Sequence, residues 1–286
     1  MNRTDLARRS LRAAIEFRAS RNIAEDVPIC IYDVAESAGL DVRFCLGDSF
    51  EGMFSKATST ILVPTSRPRG RQTFACAHEL GHWHFGHGSR LEAMLERPQV
   101  SQDSEEFLAD VFAGFILMPP WAIKRALTRR GLLAKSITPK DLYTLAGQFG
   151  VGYKTLADHL CFSLKFVTRG HRDKLLKYDP KHIRDEILGP LALACRHSPI
   201  VDMAWECVPI DLHVGDLAIL PPQSSPEGLN IETVADNEFG RIIKGIKPGI
   251  GRAELPGSDW SAFIRVSKAD FSGRAAYRHL EDPDVN

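Results

Sequence analysis

Residues 74–87 read FACAHELGHWHFGH, and few stretches of a chain limit its fold so tightly. Phe74, Ala75, Cys76, Ala77 and Leu80 carry a helix into an apolar core, yet His78, Glu79 and His82 are set among them. Burying such groups without partners costs roughly 2–7 kcal/mol each. Any fold must therefore give them a joint use. Residues i and i+4 lie about 40° apart around a helix axis, so the imidazoles of His78 and His82 can reach one ion. Glu79 projects about 100° from His78, beside such an ion, where it can take a proton from water at the metal. Zinc fits this task, because a catalytic zinc uses three protein ligands and leaves a position open.

The third ligand is expected from SEEFLADVFA, residues 104–113. Glu106 and Asp110 stand four apart on an apolar helix. Glu106 can bind the ion while Asp110 accepts from a ligand histidine's second N–H and fixes its tautomer. Glu105 is the rival ligand, but has no aspartate four residues on. His84 points away from the metal face, and His87 lies near the helix end; both are expected to be bystanders.

The remaining composition narrows the class. The 286 residues favour two domains, and 44% hydrophobic with 25% charged residues suits a chain that buries a core. Lys+Arg and Asp+Glu both total 36, which removes the electrostatic argument for a dedicated nucleic-acid or membrane binder. No apolar run in the sequence reaches the roughly 20 residues that span a bilayer, so no membrane partner is expected. The six scattered cysteines (Cys30, Cys45, Cys76, Cys161, Cys195, Cys207) make neither a disulfide framework nor a zinc ribbon; they fit buried thiols in a reducing cytoplasm. Cys76 and Cys161 flank the site, where buried packing outweighs a thiolate that blocks the metal. The arginine-rich start, with Asp5 and Glu16 inside it, reads as a surface helix rather than a transit peptide.

Along the chain, ICIYDVAESAGL predicts a short helix closed by Gly39, and DVRFCL, EGMFSK and STILVP predict short strands. The last is also the candidate edge for an extended peptide. The helix of residues 104–118 is stopped by Pro119 and Pro120. Residues 137–164 read as a helix-turn-helix around FGVG. After about Tyr178 come a helix and several short apolar runs, VDMAWECV, GDLAIL, LNIETVA, GRIIKGI, SAFIRVS and RAAYRHL, which predict a small β-rich domain. In RIIKGIKPGIGR, a strand-turn-strand, Arg241, Lys244, Lys247 and Arg252 suit a solvated edge better than an anion site.

RQTFACAHELGH followed by EEFLADVFAGFILMP resembles the ImmA/IrrE metallopeptidases, as does the order of DVAESAGLDVRF, FEGMFSK and TILVPTSRPRGRQTF before them. LAGQFGVGYKTLADHL is similar to the family's downstream helix pair, so the likeness covers about residues 25–165. It implies an α+β, zincin-like metallopeptidase domain over 1–177, including the helix-turn-helix-like 137–164. A β-rich, GAF-like sensor would then occupy 178–286. It implies His78, His82 and Glu106 as zinc ligands and Glu79 as general base, with Asp110 where relatives carry Asn or Asp. Leu108 departs from the many relatives that have a second glutamate there. The implied activity is a cytoplasmic zinc endopeptidase, with manganese the alternative loading. It would cut a helix-turn-helix repressor to derepress a stress, mobile-element or phage-defence operon. Its trigger would be single-stranded DNA or a small molecule acting through the C-terminal part. Tyr153 and His159 are the candidates for an oxyanion helper. The competing reading is a DNA-binding regulator, or a zinc-stabilised binding module, without proteolysis.

Overall fold

Alternation and β-branching make Asp41–Cys45 (β1), Met53–Ser55 (β2) and Thr60–Pro64 (β3) strands, and Pro64 closes the last. The computed structural model describes residues 2–47, 49–87 and 101–280, with backbone alone at 101–103 and 194. β3 runs parallel to β1 and antiparallel to β2. Ile61 and Val63 are fully buried, as an interior strand requires. The fourth strand of this sheet comes from far along the chain: Gly273–Arg274 pairs antiparallel with β1, giving the order Gly273–Arg274, β1, β3, β2. RAAYRHL is therefore no strand of the β-rich part. Its first residue joins the N-terminal sheet, where Arg274 reaches Asp41 at 2.9 Å, and Ala275–Tyr277 form a 3₁₀ turn.

Helices Arg3–Ala19 (α1), Ile31–Ser37 (α2), Arg69–Phe85 (α3) and Ser101–Leu117 (α4) complete the first unit, with the start of Pro120–Arg129 (α5). Two polar contacts fasten α1 to α4. The Ser10 hydroxyl donates to the Leu108 carbonyl at 3.0 Å. Arg18, 1% exposed, donates to the carbonyls of Ile116 (2.8 Å), Ala24 (2.6 Å) and Val27 (2.6 Å). Burial lowers the Arg18 pKa to about 10 against the pull of Glu25 and Asp26, which leaves it charged at neutral pH. Pro119 and Pro120 separate α4 from α5, and Pro120 opens the new helix, where a missing N–H costs nothing. Ser104–Arg129 is the one described helical run long and apolar enough to cross a membrane; 67% of its most apolar window is buried in the fold, as in a core helix.

The second unit holds Ala126–Ala269 and the described residues from Tyr277 onward. This division differs from the border near residue 177 that composition suggests. The helices Pro139–Gln148 (α6), Tyr153–Asp158 (α7), Arg169–Leu175 (α8) and Pro180–Leu188 (α9) group with the β-rich part. The reason is local: the Tyr143 hydroxyl donates to the Ser198 carbonyl at 2.9 Å, and the Gln148 amide to the Ala204 carbonyl at 3.3 Å. α6 and α7 keep the expected helix-turn-helix order, with a capping box between Thr138 and Asp141 at the start of α6.

Two small sheets complete this unit. Ile210–His213 (β4), Ser225–Glu227 (β6), Gly249–Glu254 (β9) and Ser261–Ser267 (β10) form one, in the order β4-β10-β9-β6. Leu217–Leu220 (β5), Ile231–Asn237 (β7) and Gly240–Gly245 (β8) form the other, in the order β5-β8-β7, and Gly273–Arg274 becomes β11. Ile210, Leu212, Ala218, Ile243, Ile264 and Val266 from both sheets share one core. The α+β class and the β-rich C-terminal part thus agree with the expectation. VDMAWECV does not: Val201 and Trp205 are buried in that core, but the segment is a chain of turns. β8 and β9 flank a turn as expected, yet belong to different sheets. Arg241 and Arg252 are each paired with an acid, Asp236 and Glu227.

Replacing Arg18 by Met keeps the length and leaves the buried Ile116 carbonyl, with those of Ala24 and Val27, without their donor. The expected loss is about 2–5 kcal/mol of unfolding free energy, read from denaturant melts.

Candidate metal centre

α3 lies against β3, β2 and α4. Its fully buried face carries Cys76, Ala77 and Leu80. Gly81 sits where α4 comes closest: a Cβ there would meet the Ala109 Cα at 3.1 Å and the Ala109 oxygen at 3.3 Å. Only a residue without a side chain lets the two helices approach so far. The aromatic rings of three helices fill the side away from the histidine pair. Phe17 meets Phe112 edge-on at 5.9 Å between centroids, and His84 stacks on Phe112 at 5.2 Å. His84 is thus a packing residue, and burial and Arg21 lower its pKa.

On the other side the expected residues converge. The Nε2 atoms of His78 and His82 lie 2.9 Å apart. Glu106 comes within 3.3 Å of the first and 3.6 Å of the second. Ligand atoms of His78, His82 and Glu106 all fall within 4.8 Å of one another, a set that can hold one metal ion. Neither Glu105 nor any cysteine belongs to such a group among the described residues. Leu108, between Glu106 and Asp110, is buried in the core.

The donor set fits a metal on chemical grounds. Asp110 stands 2.9 Å from His78 Nδ1, so that nitrogen carries the proton and Nε2 presents a lone pair. Two ring nitrogens 2.9 Å apart beside a carboxylate must share a proton or a cation between them. The pKa of His78 shows the same field. Burial alone would lower it, but hydrogen bonds to Asp110 and Glu106 and the charge of Glu79 prevail, and it is pushed up to about 9. The carboxylates that favour a proton on His78 favour a bound cation in the same way.

Glu79 is 4% exposed. Its room is made by Gly52, the residue before β2: a Cβ there would stand 3.2 Å from the Glu79 Cγ and 3.3 Å from its Oε1. The rim strand β2 therefore begins beside the Glu79 carboxylate. β3, expected to be the peptide-docking edge, is flanked on both sides by β1 and β2 and offers no edge.

The two candidates for an oxyanion helper belong to the second unit. Tyr153, in the second unit, donates its hydroxyl to the Leu175 carbonyl at 2.9 Å, and burial raises its pKa to about 12. His159 is buried in the short π-helical turn after α7. His87, expected to be a bystander, is the residue that the sequence reading missed: it is buried, with its Nδ1 3.0 Å from His82 Nδ1.

The peptidase M78 family model, described as the IrrE N-terminal-like domain, matches residues 35–160. The likeness to that family rests on these residues, fewer than half of the chain. The match takes in the strands, α3, α4 and the helix pair, and so contains every member of the donor set. A curated relative, "Uncharacterized immunity region protein 2" of Bacillus phage phi105, is 31% identical over 72 residues. That alignment covers 25% of this chain and 46% of the relative, so the chain spans less than half of the relative it matches. Among solved structures, a "Mycobacterium tuberculosis transcriptional regulator" aligns at 18% identity and a TM-score of 0.38, covering 55% of this chain and 46% of its own. That likeness is too loose to carry the fold.

Because a metal needs the unprotonated His78 ring, binding at neutral pH releases a proton. Apparent zinc affinity should rise with pH up to about 9, falling roughly tenfold for each unit below that value. Titration against a chromophoric chelator across pH 6–9 would read this slope, with pH-insensitive affinity counting against it.

Proposed function

We propose that this chain is a metal-dependent endopeptidase that cuts a helix-turn-helix transcriptional repressor and so derepresses an operon of a stress, mobile-element or phage-defence response. The observation that carries the reading is the His78, His82 and Glu106 donor set with the buried Glu79 carboxylate next to it in sequence. The immunity-region label of the phage relative agrees with a regulatory setting. Zinc is the expected ion and manganese the alternative; held there, it supplies a Lewis acid that polarises a peptide carbonyl and acidifies water. Glu79 then has one task in two steps: it accepts a proton from the attacking water and passes it to the leaving amine. Gly52 leaves the carboxylate the space to do so. The rim strand β2, an edge of its sheet among the described residues, offers its outer backbone groups to an extended substrate segment, which would add as a further strand and run toward Glu79. Asp110 holds the His78 ring in the ligating tautomer.

The β-rich part is proposed as the element that makes cleavage conditional, responding to single-stranded DNA or a small molecule, with the cytoplasm as the site of action. The rival reading, sequence-specific DNA binding by α6 and α7, meets poor charge. Lys154, the basic residue of the second helix, pairs with Asp158 at 3.2 Å, and Arg172 bonds the same carboxylate.

The test incubates the protein with each helix-turn-helix protein encoded near it in the same genome and follows that protein's intact mass, with and without single-stranded DNA. Cleavage should require added zinc and stop with EDTA. Glu79→Gln should lower the rate by at least roughly 10²–10⁴-fold while zinc stays bound. A repressor that stays whole in every condition, with zinc bound to the wild type, would favour the binding-module reading.

A further inference from the structure

His87 does not continue α3. Gly86, at φ 71°, ends the helix in the left-handed conformation, and the His87 N–H turns back to the His82 carbonyl at 3.0 Å. On an unbroken helix position 87 would lie about 140° round the axis from position 82. The glycine turn instead brings the two rings together, with centroids 5.1 Å apart and the Nδ1 atoms at 3.0 Å. Phe85 stacks on the far face of this arrangement, 5.6 Å from the His87 ring at an interplanar angle of 24°.

Proton counting sets the direction of the bond between these nitrogens. A neutral imidazole has one N–H. If His82 Nε2, the atom facing His78 and Glu106, is to present a lone pair, the His82 proton must sit on Nδ1. That proton then points at His87 Nδ1, which must be bare, so His87 carries its own proton on Nε2. We propose that His87 is a positioning residue: its Nδ1 accepts from His82 Nδ1–H, locking the ring and tautomer that expose His82 Nε2 to the metal. This rests on the metal reading above and adds to it a second ligand lock, made by an imidazole where Asp110 supplies a carboxylate. The two ligands thus have unlike support. His78 is backed by an anion, while His82 is backed by a neutral ring placed by a helix stop.

The test needs two substitutions and one spectrum. His87→Phe keeps the ring and its stacking on Phe85 but removes the acceptor; His87→Asn places an amide oxygen near the former Nδ1. Zinc affinity, read by competition with a chromophoric chelator, should fall roughly 10–100-fold in His87→Phe and largely return in His87→Asn. Long-range ¹H–¹⁵N spectra of the zinc-loaded wild type should show His82 protonated on Nδ1 and His87 protonated on Nε2, a readout that needs no variant to fold. Equal zinc affinity in wild type and His87→Phe, or His87 protonated on Nδ1, would overturn the proposal and leave the metal centre standing. A wild type that binds no zinc would instead remove the metal reading itself, and this one with it.

Discussion

The close crossing of α3 and α4 at Gly81 and Ala109 is the constraint on which the rest depends. A methyl group at position 81 would press on backbone rather than on a side chain that could swing aside. Because the helices touch there, Glu106 and Asp110, three residues before Ala109 and one after it, arrive level with His78 and His82. The ring cluster of Phe17, His84 and Phe112 supports the crossing from behind. Arg18 and Ser10 then tie α1 across α4 through backbone carbonyls. Each layer narrows the freedom of the next, so the two histidine rings, themselves largely buried, meet the partly exposed carboxylates of Glu106 and Asp110 at a fixed level.

The centre combines two opposed electrostatic tendencies. Burial disfavours charge on the histidines, and the surrounding carboxylates favour it. At His78 the carboxylates prevail, whereas at His87 burial is the largest influence and lowers the pKa. A divalent ion satisfies the first group directly, and the neutral second group can accept a proton bond without competing for the ion. At His87 the pull of Glu105 and Glu106 is present too, but without a hydrogen bond to either it is outweighed by burial together with Arg9 and His78.

Much of this was legible in the sequence because it is local. The i, i+4 spacing of His78 and His82, and that of Glu106 and Asp110, survives any packing that leaves both helices intact. Choosing Glu106 over Glu105 needed only the rotation of one helix. His87 was not legible by the same rule: its place depends on a break in helical geometry at Gly86, and a periodicity argument assumes there is none. The rank of β3 as an interior strand was hidden for another reason, since strand order in a sheet is a long-range property. Val201 and Trp205 show the converse, being apolar enough to read as a strand yet buried by a run of turns.

Long-range pairing also decides how the first sheet can be assembled. β11 supplies its outer strand from residues 273 and 274, after the whole of the second unit's helices and sheets has been made. During synthesis β1 must therefore wait, with one edge open, until residues 273 and 274 have emerged. A fragment cut at a border chosen by composition would carry every metal ligand and still lack a strand of its sheet. In this protein the unit that carries the donor set is not a contiguous segment of sequence, and its closing stitch is made only after the second unit's two sheets have been translated.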